Sequence, residues 1–303
     1  MQKKRSQHLV IEGDHYFEDY VGEGSEDPTI FEGVFGDYAG AESVNPIFKG
    51  TFGKYTGYRS KNPIFEEGKF RRGAGDESEN AVFIGGEYSG GTGMCSVNPI
   101  FKGGRFRGSV GVGSENAVFI GGEYSDFVGL GSEGAVFKGG TFGDDTCIDS
   151  IYPVFKGGVF GDSTGLSSDG VMVIGGSFGR YTLDSAENVK AYISEAKSIG
   201  IPRSGYIIAR NVSEVESELI LISRTDCVFY FTDEEVAKSV RRFLDNNKLG
   251  GEVFYIEMSA LEEILEKADF NHFKEIEDYE TLSLAMDYLI CRVDEASKEV
   301  KSE

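Results

Sequence analysis

Short apolar segments recur along the first part of the chain, and in nearly every copy glycine and then an aromatic residue follow. Two successive intervals are 17 residues long, and the next six are 18 residues long. The nine segments begin at Thr29, Pro46, Pro63, Ala81, Pro99, Ala117, Ala135, Pro153 and Val171. Because so short a repeat cannot bury its hydrophobic face alone, this period indicates coils that stack on one another. The sequence therefore predicts a single-stranded β-helix, or β-solenoid, of about nine to ten coils of 17–18 residues.

A second period of six residues divides each coil. Every sixth residue from Val82 to Phe178 is apolar, without a break. Three such hexads in each coil predict a roughly triangular cross-section with three short strands and three corners.

Two polar columns run through the repeat. Serine fills one of them: Ser43, Ser60, Ser78, Ser96, Ser114, Ser132, Ser150 and Ser168. Two positions further on, asparagine recurs as far as Asn116 and is later replaced by Gly134 and Gly170. An asparagine that exchanges with glycine is typical of a corner residue with positive φ. We expect both ladders to hydrogen-bond from coil to coil and to fix the corners rather than to bind a ligand.

Two adjacent residues, such as Val82 and Phe83, are apolar in nearly every coil. Neighbours on a strand point to opposite faces, so one residue of each pair should form an apolar stripe on the outside. A stripe of that size needs a cover, which could be the C-terminal part of the chain, a second copy or a partner. A bulge at the glycine pair that turns both residues inward is the alternative. The interface candidates are Phe83, Phe101, Phe119, Phe137 and Phe155.

Glycine content divides the chain in two. Of the 42 glycines, 38 lie within residues 1–183. The net charge of −21 is shared between the two parts, with −9 in residues 1–183 and −12 in residues 184–303. The sequence thus predicts a β-solenoid over residues 1–183 and a second domain over residues 184–303.

The acidic balance bears on partners and location. A chain of this charge repels nucleic acid and anionic membranes at long range, although an acidic decoy for a DNA-binding protein is an alternative. The cysteines are Cys95, Cys147, Cys227 and Cys291, too far apart for a zinc motif, and they are interpreted as reduced thiols. The start has no apolar run of the kind that a signal peptide needs, and no segment has the apolar length to span a bilayer. We therefore expect a cytoplasmic protein that binds neither nucleic acid nor membrane.

The C-terminal part shows mixed helix and strand signals, which predict a small α/β domain. A capping-box spacing at Asp184 predicts a helix to about Ser198. The remaining predicted elements are strands at 205–210, 218–223, 227–231 and 252–257, and helices at 232–247, from 259 onwards and at 279–298.

The turn after each apolar segment has a recognisable form. It appears as Phe35-Gly36-Asp37-Tyr38-Ala39-Gly40, and again as Phe160-Gly161-Asp162-Ser163-Thr164-Gly165. This turn resembles the Gly-rich GXGXG right-handed β-helix of glutamate synthase large subunits and of the β-helical subunit of formylmethanofuran dehydrogenase, over residues 8–183. The resemblance implies a scaffold that docks catalytic domains and carries no catalytic residue.

The resemblance to the GXGXG helix is incomplete. The coil here is shorter, and each core carries an unusual phenylalanine. The strict six-residue period is also similar to the left-handed helix of hexapeptide acyltransferases, and the coil length to that of bactofilin filaments. The handedness stays open, with a right-handed coil favoured.

No catalytic constellation lies on the repeat. The three histidines, His8, His15 and His272, are all off the regular coils, so a histidine base or a three-histidine zinc site is disfavoured. The sequence predicts no catalytic, cofactor-binding or metal-binding residue and no cofactor. We expect a non-catalytic scaffold that acts through a protein partner or self-association. The alternatives are a hexapeptide-type acyltransferase with catalytic residues in the C-terminal domain, and a self-assembling filament.

Overall fold

The fold is a parallel β-solenoid followed by a region that contains helices, as seen in a computed structural model. The structure describes residues 10–26, 30–215, 226–267 and 279–300. The chain divides into two compact units, Met1–Cys147 and Ile148–Glu303. The predicted solenoid is therefore confirmed, and each unit is described by itself.

The first unit consists of parallel strands that each pair with the strand one turn later. Val82, Ile100, Val118 and Val136 align in register across successive turns. The strands are β1 (Val10–Phe17), β2 (Ile30–Phe35), β3 (Ile47–Phe52), β4 (Ile64–Arg71), β5 (Val82–Ile84), β6 (Glu87–Ser89), β7 (Ile100–Lys102), β8 (Arg105–Arg107), β9 (Val118–Ile120), β10 (Glu123–Tyr124) and β11 (Val136–Lys138).

Two columns of stacked aromatic rings form the core of the first unit. Consecutive rings in the first column have centroids 4.6–5.0 Å apart, and those in the second 4.5–5.1 Å. Rings of the two columns meet edge to face within each turn, the arrangement that the ring quadrupole favours. The first column is Phe31, Phe48, Phe65, Phe83, Phe101, Phe119 and Phe137, and the second is Phe35, Phe52, Phe70, Tyr88, Phe106, Tyr124 and Phe142.

The polar ladders have the predicted structural role. The Ser60 hydroxyl accepts the amide of Ser43 at 3.2 Å and donates to the carbonyl of Gly40 at 3.0 Å. The amide group of Asn98 donates to the Asn80 side chain at 3.1 Å, and the backbone of Asn98 has φ of 53°. Both columns are satisfied from turn to turn, which confirms that they fix the corners.

The second unit contains the last solenoid turns and all the helices of the described residues. A parallel sheet in the order β13-β15-β16-β17-β18 runs through it. The strands are β12 (Val154–Phe155), β13 (Met172–Ile174), β14 (Ser177–Phe178), β15 (Val189–Ala196), β16 (Ser204–Val212), β17 (Asp226–Phe231) and β18 (Glu252–Tyr255). The helices are α1 (Glu234–Asn246), α2 (Met258–Lys267) and α3 (Tyr279–Val300).

The predicted helix from Asp184 to about Ser198 is wrong, because β15 occupies that segment. Asp184 does not cap a helix, since its carboxylate accepts the amide of Ile201 one turn later at 3.0 Å. Ser185 and Asn188 have positive φ, which a helix excludes. The sheet consequently continues past residue 183, where the solenoid was predicted to end.

The other C-terminal predictions lie close to the observed elements. The strands near residues 205, 227 and 252 and the helices near 234, 259 and 279 are confirmed. The strand predicted at 218–223 lies outside the described residues. Helix α1 begins at an N-cap, where the carboxylate of Asp233 accepts the amides of Glu235 and Val236 at 2.9 and 3.0 Å.

Helices lie on both faces of the sheet in the second unit. On one face, the buried Val240 and Leu244 of α1 line a small apolar cavity together with Phe229 and Phe231. On the other face, the hydroxyl of Tyr230 donates to Asp294 of α3. Along a strand, side chains alternate between the two faces, so Tyr230 points away from the face that its neighbours Phe229 and Phe231 share. Helices α1 and α3 are therefore on opposite faces of the sheet.

Candidate interaction surface

The five phenylalanines proposed as an interface lie in the core, so that prediction is wrong. Their side chains are fully buried: Phe83, Phe101, Phe119, Phe137 and Phe155. In β5, Phe83 points inward while Val82 and Ile84 point outward, and Ala81, just before the strand, is buried. The bulge alternative also fails, because the strand alternates regularly and the left-handed glycines follow it. The larger ring of each pair is inside because it fills the interior and stacks on its copies.

The outward residue of each pair forms an apolar line on the first unit, which we name the outer stripe. Its six aligned residues are half-buried by one another: Ile47, Ile64, Val82, Ile100, Val118 and Val136. Two further members on the same outward face, Ile84 and Ile120, are 39% and 37% exposed. Six strands about 4.8 Å apart give the stripe a length of about 24 Å.

The two sides of the outer stripe differ in charge. Ile84 and Ile120 share their column with Lys102 and Lys138. Within the stripe, the same column begins with Lys49 and Glu66, which form an ion pair at 2.7 Å. On the opposite side, beyond the asparagine ladder, the exposed column carries Lys61, Glu79, Val97, Glu115 and Glu133, and Lys61 pairs with Glu79 at 3.2 Å. From the strand of Ile100 to that of Val136, the apolar strip therefore has a cationic border and an acidic border.

On the cationic side of the outer stripe, glycines leave the surface without projecting side chains. Gly103 and Gly121 follow the strands, and a Cβ added at either would meet nothing within 4 Å. Their φ values of 64° and 60° explain the choice of residue, because few other side chains tolerate this conformation. The result is a flat shelf next to the stripe that is free of side chains.

In the second unit, the same column of the repeat is covered. Val154 is 2% exposed and Met172 is fully buried, whereas their counterparts in the first unit are partly exposed. The next residue in the column is Lys190, whose ammonium group contacts the Ser283 hydroxyl at 2.7 Å and the Asp287 carboxylate at 2.8 Å. Helix α3 thus contacts this column at Lys190.

Helix α3 has a buried apolar face and crosses the strands of the sheet. Its inner face is fully or nearly fully buried: Leu282, Ala285, Met286, Leu289, Ile290 and Val293. Asp287 contacts β15, and Asp294 contacts β17 through Tyr230. Seven helical residues span about 10.5 Å, which matches about 9.6 Å for two strand spacings. A helix across the strands therefore presents about one turn to each strand.

The clefts of the second unit offer no convergent chemistry. One of about 440 Å³ is lined by Ser213, Glu214, Glu235 and Ser239, among others. A second of about 620 Å³ is lined by residues of α1 and β18, but its Lys238 is already paired with Glu234 and Glu235 at 3.0 Å. We regard both as open surface between charged side chains.

Metal and thiol chemistry have little support. Within the described ranges, no three His, Cys, Asp or Glu side chains are grouped so that they could hold a metal ion. Cys147 and Cys227 are buried, and burial raises the pKa of the Cys227 thiol well above its usual range. A thiol held protonated in this way is a poor nucleophile. In the described part of the chain, no helix is long and apolar enough to cross a membrane.

Comparison with known proteins adds no identification. The sequence matches no family model, and neither a curated protein nor a solved structure matches it.

Proposed function

We propose that this chain is a non-catalytic β-solenoid scaffold that holds another polypeptide on its outer stripe. The observation that carries the proposal is the contrast between the two units. In the second unit Val154 and Met172 of the outward column are buried and α3 contacts the column at Lys190, whereas the matching residues of the first unit, such as Val82 and Ile100, are partly exposed. A continuous apolar strip with polar borders has the anatomy of a protein interface.

The GXGXG resemblance agrees with this proposal, because in those families the β-helix docks other domains. An acyltransferase would need a base, and the sequence offers few histidines for it. His8 and His272 lie outside the described residues, and His15 lies in β1. The acyltransferase alternative stays a prediction with no feature of the described residues in its favour.

The proposal is tested by photo-crosslinking in the cells that make the protein. A benzophenone amino acid replaces Ile120, which is exposed on the stripe and tolerates change because the same column carries lysine. The control replaces Phe127, an exposed aromatic residue at a corner. We expect a defined crosslinked polypeptide from position 120 and none from position 127. No crosslink from position 120, or equal crosslinks from both, contradicts the proposal.

A further inference from the structure

We propose that the outer stripe binds the exposed face of α3 from a second copy of this chain. The inference rests on the proposed function and names the partner that the stripe fits. Helix α3 has a second apolar face besides the one that is buried. Leu284 and Tyr288 are 64% and 48% exposed, and Cys291 is exposed as well. Their spacing of four and three residues places them on one line of the helix.

The spacing of this exposed face matches the stripe. From Leu284 to Cys291 the helix rises about 10.5 Å, and three successive strands span about 9.6 Å. Each of the three side chains would therefore meet one strand of the stripe, for example the strands of Val82, Ile100 and Val118. Helix α3 already crosses the strands of its own unit with its inner face, so the docked geometry repeats one that the fold contains.

One charged residue beside the helix face is complementary to the stripe. At 100° per residue, Glu280 and Asp287 lie on one side of the exposed helix line and Arg292 lies on the other, but Asp287 is bound to Lys190 and Arg292 to Glu295 within the chain. The stripe has Lys102 on one border and Glu115 on the other. Glu280 on the cationic border of the stripe is therefore the charged contact that favours the docked helix. The low glycine shelf leaves room for its backbone.

The two surfaces belong to different parts of the chain, so the contact is heterologous. Each copy carries one helix face and one stripe, and such contacts add copies until a ring closes or a filament grows. Three apolar residues bury less area than a permanent dimer needs, so we expect weak, concentration-dependent association.

The experiment uses two full-length variants and analytical ultracentrifugation over a range of concentrations. Ile120→Glu disables the stripe, and Leu284→Glu disables the helix face, both at exposed positions. The wild type should form oligomers, and each variant alone should remain a monomer with unchanged circular dichroism. An equimolar mixture should form 1:1 dimers and nothing larger, because each variant retains one working surface. Phe127→Glu is the control and should assemble like the wild type.

A disulfide locates the contact directly. Ile120→Cys should crosslink to Cys291 of another copy under mild oxidation by copper phenanthroline in air, with the linked peptides identified by mass spectrometry. Phe127→Cys should not. The inference is overturned if the wild type stays monomeric, if either variant alone still assembles, or if the mixture forms no dimers. If position 120 nevertheless crosslinks a different polypeptide, self-docking is wrong and the scaffold function stands; if it crosslinks nothing, both are wrong.

Discussion

Tyr88 stacks on Phe106 with the ring centroids 4.5 Å apart, and its hydroxyl is buried without a hydrogen-bond partner among the described residues. Tyr124 stacks on the other side of Phe106 at 4.8 Å and has the same unpartnered hydroxyl. Burial raises the pKa of both phenols, so both stay neutral. The two tyrosines stand in a column that is otherwise phenylalanine, and their oxygens lie in the apolar interior.

The first prediction is that Tyr88→Phe and Tyr124→Phe each stabilise the chain. A buried polar group without a partner costs about 1–3 kcal/mol, so we expect each change to raise the free energy of unfolding by about 1 kcal/mol. Phe106→Tyr, between the two, is the matched control and should lower it by a similar amount. The measurement is the midpoint of chemical denaturation. Destabilisation by Tyr88→Phe would show that its hydroxyl is hydrogen-bonded, for instance to a buried water.

The asparagine ladder gives a second prediction, with two variants at one position. Asn98 donates to Asn80, accepts from Asn116 at 3.1 Å, and has φ of 53°. Asn98→Gly loses the ladder bonds but keeps the backbone relaxed, whereas Asn98→Ala also places a Cβ in the left-handed region. We expect Asn98→Ala to be less stable than Asn98→Gly by about 1 kcal/mol. Equal denaturation midpoints would mean that the turn is not held in this conformation.

The turn that resembles the GXGXG family has a physical explanation, which supplies the third prediction. The Asp126 carboxylate accepts the amide of Asp144 one turn later at 2.9 Å, and a Cβ on Gly143 would collide with that carboxylate. The aspartate therefore caps the next turn, and the glycine makes room for it. Asp126→Ala should lower the free energy of unfolding by about 1 kcal/mol, while Asp126→Asn, which keeps the acceptor oxygen, should lower it less. Equal losses in thermal denaturation would contradict the capping role.

The 17–18-residue period was enough to predict the solenoid, because each contact between stacked turns recurs with that period. It did not decide which of two adjacent apolar residues faces inward. The residue two places after Val82 would have decided the orientation. It is Ile84 in one coil, and in the next coil the same position is Lys102. Residues two apart share a strand face, so a lysine in this column requires that face to be outside and leaves Phe101 inside.

The boundary near residue 183 was missed for a different reason. A capping-box spacing is a local signal, and at Asp184 it coincides with a corner of the next coil. The long-range period continues there, since Asn188 stands 18 residues after Gly170 in the same corner column and has φ of 51°. Contacts with the neighbouring turn outweigh the local preference. Nothing in the repeat itself indicates that α3 contacts the outward column at Lys190.

The fourth prediction concerns pH. Burial raises the pKa of Asp76 from 3.8 to about 6, although the amide of Met94 donates to its carboxylate at 2.9 Å and favours the charged form. Since the folded state holds the proton more tightly than the unfolded state, stability rises as the pH falls through about 6. At neutral pH, the buried carboxylate lowers stability, and that cost disappears on protonation.

Asp76→Asn removes this dependence while keeping an acceptor for the amide of Met94. Near pH 7.5 we expect the free energy of unfolding of the variant to exceed that of the wild type. By about pH 5 this difference should shrink by about 1 kcal/mol. The measurement is chemical denaturation of both proteins at several pH values in this range. Glu262→Gln, at an exposed carboxylate on α2, controls for the removal of one negative charge from an acidic chain. A difference between Asp76→Asn and the wild type that does not change with pH would contradict the raised pKa, because only a group that titrates in this range can make the difference vary.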